Sequence, residues 1–380
     1  MSRRTFLAAA TPNGALESFT RRIAATAQFR TFATTSRRDV KHITKFTPTS
    51  SPELDQLLET MRQKIILPSF LPAEQRSKLY NPKWEQRLRS DPITIEIDGE
   101  ILKFYHQDLL GGDIPETRRL LKDIILKFRT AEDFANLQPL LEGLHQAGRK
   151  LKPRQQSQLA RIVCERGQYQ ALLECARAVK RTGFKLETHE VVLKLLTTIQ
   201  MKAVHAGWSP AATKQALRHA EMVLEMLESE DHAPRKRQVG TEWVPGTRLQ
   251  TTPMMILAPL HLAAALGDVE KTTKYARDLL HVWPADKKLI TAQLDMLADK
   301  EFHDVSPSHQ LFVLAPLASG LERAVGVVED AGLREQLQAR ARNLREDVEE
   351  RKSRCKETHL GYEAYKSVFE PAAREQSAQA

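Results

Sequence analysis

The chain has 380 residues, 57 Lys and Arg against 48 Asp and Glu, a formal net charge of +9 and 41% hydrophobic residues. That length suits one large core or an elongated repeat array. Its three cysteines, Cys164, Cys175 and Cys355, have no CxxC spacing and no neighbouring histidine cluster, which argues against a disulfide framework and a zinc site.

Up to Arg38 there are seven arginines, no lysine and one acid, Glu17, with short apolar bursts such as Phe6–Ala10 and Ile23–Ala25 between them. No run there reaches the length of a secretory core or a membrane span. An Arg-rich, acid-poor amphipathic leader is what a mitochondrial presequence needs, because its positive face follows the membrane potential. Arg30-Thr31-Phe32 followed by Ala33 resembles the processing site of fungal presequences, with cleavage after the aromatic residue. Residues 1–32 therefore read as a presequence, Arg30, Phe32 and Ala33 as its cleavage region, and the mitochondrial matrix as the destination. A disordered basic tail that binds nucleic acid is the alternative; the scarcity of acid and the absence of Lys favour the presequence. Much of the net charge is then an address label. The milder remainder suits an RNA or an acidic partner without specifying one.

Residues 33–92 read as an extended, partly helical arm, punctuated by prolines at 48, 52, 68, 72, 82 and 92. Within it Ser51 caps a short amphipathic helix with Leu54, Leu57, Leu58 and Met61 on one face. "NPKWEQRLR" sets an aromatic among basic residues. Residues 93–105 are the clear strand signal. Asp98-Gly99 suits a two-residue turn, which would pair Ile97 with Glu100, Ile95 with Leu102 and Ile93 with Phe104.

From Asp113 the apolar period becomes 3.6. Leu120, Leu121, Ile124, Ile125 and Phe128 form one stripe; Phe134, Leu137, Leu140, Leu141 and Leu144 form the next, closed by Gly148. A second pair of helices ends at Gly183, 35 positions after Gly148, an interval within the range of helical-pair repeats. Leu159 to Glu187 resembles a pentatricopeptide repeat. Its first helix ends in a Cys164-x-x-Gly167 turn, and its second carries Ala171, Leu172, Cys175 and Val179 in the buried places. Leu186-Glu187 replaces the usual Pro-Asp ending. Helix pairs continue to residue 230, and residues 231–252 read as a loop. "LHLAAALGDVEKTTKYARDLLHVWP" is similar to a tetratricopeptide repeat, placing helical pairs at 253–330. A charged amphipathic helix at 331–358 and a tail at 359–380 follow.

No catalytic constellation emerges: there is no Walker loop, HExxH or GxSxG. His219-Ala220-Glu221 lacks the Pro-Cys-x-x-Cys partner of zinc deaminases and reads as helix surface. No catalytic residue, metal ligand, cofactor or small-molecule substrate is assigned. Likeness to sequence-reading pentatricopeptide proteins would put base contacts at Ser157 and Glu187, and at Lys122, Lys152 and Val192 in adjoining repeats. Val192 cannot hydrogen-bond a base, and lysines suit phosphates. Contact with the RNA backbone is the stronger reading, at Arg149, Lys150, Lys152 and Arg154 on one connector and at Arg235, Lys236 and Arg237 on the 231–252 loop.

The fold class expected is all-α: a solenoid of pentatricopeptide- or tetratricopeptide-like helical pairs with an N-terminal extended arm and one small β-hairpin. The whole resembles the fungal accessory proteins of the mitochondrial ribosome, its large subunit preferred. That resemblance implies a non-catalytic scaffold with mitochondrial ribosomal proteins and rRNA as partners and no transmembrane segment. The alternatives are an RNA-binding factor for mitochondrial transcripts and a protein-binding assembly factor for respiratory complexes.

Overall fold

A computed structural model describes residues 43–97, 99–109, 111–234, 237–239, 241–244, 246–297 and 306–370. The presequence reading, with Arg30, Phe32 and Ala33, lies outside those residues. The chain divides into Met1–Ile43 and Thr44–Ala380, and every element below belongs to the second unit.

Ser51 caps α1 (Pro52–Met61) by accepting a hydrogen bond from Leu54 N at 3.2 Å. The helix runs on into a π turn, Arg62–Ile66, and a 3-10 turn, Leu67–Phe70. Two short helices follow, α2 (Ala73–Tyr80) and α3 (Glu85–Ser90). From residue 44 onward the expected arm is thus folded onto the body. α1 packs on α4 (Thr117–Lys127) and the π turn packs on α6 (Leu137–Gln146). The physical cause is the length of the apolar face. Leu54, Leu58 and Met61 continue into Ile65 and Ile66, and all five join the main core with Leu120 and Ile124. Each such side chain stabilises by about 1.5–3 kcal/mol when fully buried.

Strands β1 (Ile93–Ile97) and β2 (Glu100–Phe104) pair antiparallel, with Ile93 opposite Phe104, Ile95 opposite Leu102 and Ile97 opposite Glu100. This is the register read from the sequence. Leu102 and Phe104 are buried while Ile101 and Tyr105 stand exposed. Gln107 N donates to Leu79 O at 3.1 Å and ties the exit of the hairpin to α2.

The remaining body is helical. After α4 come α5 (Ala131–Ala135) and α6, then α7 (Pro153–Glu165) with α8 (Tyr169–Arg177) and α9 (Val179–Thr182). Next are α10 (His189–His205) with α11 (Pro210–Glu228), and α12 (Pro253–Ala265) with α13 (Val269–Val282). The series ends with α14 (Leu289–Leu297), α15 (Pro307–Val327), α16 (Ala331–Ser353) and α17 (Leu360–Phe369). One row of helices runs through the stack: α4 packs on α7, α7 on α10, α10 on α12, and α12 on α15. Because α10 reaches α12 directly, the row continues past residues 229–253. α12 is buried from Pro253 to Ala264. A helix that is apolar all round must lie inside. α13 keeps a single buried stripe of Thr272, Ala276 and Leu279.

Two expectations need correction. Residues 231–252 are more than a loop: β3 (Arg237–Val239) pairs antiparallel with β4 (Glu242–Val244), so two hairpins, and not one, are present among the described residues. The expected tail contains α17, which packs on α15 and α10. Gly361, Ala364 and Tyr365 are buried, and Gly361 N donates to Ser308 Oγ at 3.2 Å. At Gly361 any β-carbon would collide with the Ser308 backbone.

Candidate nucleic-acid interface

Gly148 adopts φ 71°, so Arg149 N turns back to Leu144 O at 2.8 Å and closes α6. The connector that follows alternates. Leu151 packs against the core, while Arg149, Lys150 and Lys152 are exposed. Lys152 N donates to Gln155 Oε1 at 2.9 Å to start α7, and Arg154 is exposed on its first turn. None of these four cations makes an ion pair among the described residues.

The same device recurs after α9. Gly183 has φ 67°, Phe184 and Leu186 are buried, and Lys185 between them is half-buried. Lys150 and Lys185 are 35 positions apart, and each lies two residues after a left-handed glycine. Both line a single cleft of about 500 Å³ with His145, Lys180 and Asp231. Lys180 is held by Asp231 at 3.4 Å. Burial, helped by the Lys150 charge, lowers the pKa of His145.

This basic face extends onto α2 and α3. Burial raises the Tyr80 phenol, while the charges of Arg149 and Arg76 both oppose the rise. A few residues on, Trp84 lies beneath Lys78 Nζ at 5.0 Å and Arg87 Cζ at 5.2 Å. Cations on a ridge meet phosphates through charge. An aromatic ring flanked by cations is a surface on which an unpaired base stacks.

The other expected residues do not join this surface. Arg235 and Lys236 lie outside the described residues; Arg237 opens β3 opposite Val244. Ser157, Glu187 and Val192 are buried and cannot present a base-reading edge, whereas Lys122 is exposed. His219 Nδ1 meets Tyr169 Oη at 3.0 Å, and Glu221 accepts from Lys271 Nζ at 2.6 Å and Tyr275 Oη at 3.1 Å. His219-Ala220-Glu221 thus links neighbouring helices. Lys180, Lys185 and Arg76 were missed by reading the sequence. A shift of Lys150 by the 35-residue interval lands on Lys185, so the period itself held that signal.

Among the described residues no group of three or more His, Cys, Asp or Glu could hold a metal ion, and no helix is long and apolar enough to cross a membrane. The sequence profile of the mitochondrial ribosomal protein mS27 family matches residues 30–369. The chain belongs to this family. It is also 38% identical over 291 residues to the small ribosomal subunit protein mS27 of Neurospora crassa, covering 71% of this chain and 72% of that one. The chain is therefore a mitochondrial ribosomal protein, as the sequence resemblance implied. The preference for the large subunit is corrected, because the Neurospora crassa mS27 protein is named for the small one.

Proposed function

We propose that this mS27-family chain is a non-catalytic scaffold of the small subunit of the mitochondrial ribosome, working in the matrix. Its stacked helix pairs, pentatricopeptide- and tetratricopeptide-like in their arrangement, offer broad surfaces to neighbouring ribosomal proteins. Its basic face meets the backbone of rRNA. The observation that carries the RNA part is the cleft shared by Lys150 and Lys185 from successive connectors, with Arg149, Lys152 and Arg154 exposed around Lys150. Burial of Ser157 and Val192 favours backbone and shape over reading of bases.

Sedimentation of mitochondrial lysate through a high-salt sucrose gradient tests this reading. The chain should travel with the small subunit, and crosslinking should join small-subunit rRNA to peptides spanning 76–87 and 149–154. A chain confined to the top of the gradient, or crosslinks restricted to messenger RNA, would overturn it.

A further inference from the structure

The end of α7, the middle of α10, α15 and one side of α17 line a pocket of about 360 Å³ whose walls include Met201, Phe312, Leu360 and Ala364. Pockets that hold small ligands begin at about 300 Å³ and are mostly apolar, with few polar groups. The walls also carry Glu165, Arg166, Lys202 and Glu363, and among these charged groups Lys194 is deeply buried, its side chain 3% exposed. It sits in "VVLKLLTTI", a largely apolar run on α10, and lines the pocket.

Lys194 Nζ stands 4.1 Å from the centre of the Phe312 ring and 3.9 Å from Glu165 Oε1. Neither distance is a hydrogen bond. An ammonium carries three donors, and burying it without acceptors is costly. Burial indeed pulls its pKa below the usual lysine value, with Glu165 opposing. Glu165 is 43% exposed and can turn outward.

Arg166 and Lys202 line the same pocket. Arg166 donates to Ile125 O and Leu126 O at 3.2 and 2.7 Å, and Lys202 lies over the Tyr169 ring at 5.3 Å. A carboxylate, with a single charge and two acceptor oxygens, matches one ammonium. We propose that this pocket binds a carboxylate borne on a small apolar body, with Lys194 as its counter-ion and Phe312, Met201 and Leu360 against the body. The carboxylate comes either from a free organic acid or from the apolar C-terminal residue of a peptide.

The test is calorimetric titration of the purified full chain with 4-phenylbutyrate and, separately, 4-phenylbutanol, which share a body and differ in charge. The acid should bind at least tenfold more tightly. In Lys194→Met, with helicity and melting checked, that preference should vanish, because the ammonium that would pair with the carboxylate is gone. Acetyl-Gly-Phe as free acid and as amide forms a second pair: binding of the free acid above phenylbutyrate assigns a peptide source, and the reverse assigns a free acid. Equal binding of acid and alcohol by the wild-type chain, no binding of either acid at millimolar concentration, or an undiminished preference in Lys194→Met would overturn the proposal. None of these results depends on sedimentation with the ribosome.

Discussion

Acid should destabilise this protein through His261, and replacing that one residue should remove a defined part of the effect. His261 lies on α12 at 0% exposure, and neither ring nitrogen has a hydrogen-bond partner. Trp208 packs on it with ring centres 4.7 Å apart, and Gly320 of α15 leaves no room for even a β-carbon beside it. Burial, with the charge of Arg323 acting the same way, pushes its pKa from 6.5 down to about 3. The folded state therefore refuses a proton that the unfolded chain accepts below about pH 6.5. Stability is full above that value and falls as pH drops towards 3, after which both states are charged and the loss stops. The whole gap is worth roughly 4–5 kcal/mol, of which about 2 kcal/mol is spent between pH 7.5 and pH 5. His261→Leu should lose that component and gain about 1 kcal/mol or more at pH 7.5, since the buried unpaired nitrogens disappear. Urea unfolding of both chains at pH 7.5, 6 and 5 measures the difference directly. His145, His219, His232 and His309 are also lowered by burial, but they are common to both chains and cancel. An unchanged pH slope in His261→Leu would refute the reasoning.

Arg340, 6% exposed, donates through Nε and Nη2 to Trp283 O at 3.0 and 2.7 Å. Arg340→Met should cost about 2–3 kcal/mol in urea unfolding, the worth of charged hydrogen bonds to a carbonyl at the end of α13. At Asp133 burial raises the pKa, but hydrogen bonds from Ser50, Thr130 and Arg129 outweigh it and hold the carboxyl at about 2. Its contribution, about 2 kcal/mol, is present above the ordinary value of 3.8 and lost as pH falls towards 2. Asp133→Asn should show that loss at neutral pH and expose residues 44–50 to limited proteolysis. Gly361→Ala should detach α17, read as lost hydrogen-exchange protection over 360–369 while α12 stays protected. Replacing Arg149, Lys150, Lys152 and Arg154 together by Ala should leave the melting temperature unchanged. It should flatten the salt dependence of binding to small-subunit rRNA by up to about 0.7–0.9 for each phosphate that is no longer neutralised.

Much of the helical body was legible because its signals are local. Ser51, Thr130 and Gly148 do in the structure what their residue types suggest: the first two accept hydrogen bonds from α1 and α5, and the third turns left-handed. Leu120, Leu121, Ile124 and Ile125 are buried as their spacing requires. Where partners are distant in sequence, reading along the chain failed. The face of α1 looked short because the π turn adds Ile65 and Ile66 beyond it. Residues 44–50 looked extended because their hydrogen-bond partners, Asp133 and Asn136, lie more than eighty positions away. α17 looked like a tail for the same reason: Ser308 and Glu349 hold it, and its own ten residues carry little pattern.

The basic face shows how a recurring interval changes what a sequence can say. A period establishes which residues are equivalent, and stacking turns equivalence into adjacency. Lys150 and Lys185 are ordinary lysines one at a time; placed on consecutive connectors they must share a cleft. Arg76 and Trp84 belong to no period. Their place in the fold follows from the apolar stripe of Leu54 to Ile66, which folds the N-terminal segment onto α4 and α6. The charge of this surface is therefore contingent on core packing some distance from it. Loosening that packing, as with a β-carbon at Gly143 against Ile66 and Thr44, should split the face without touching any of its cations.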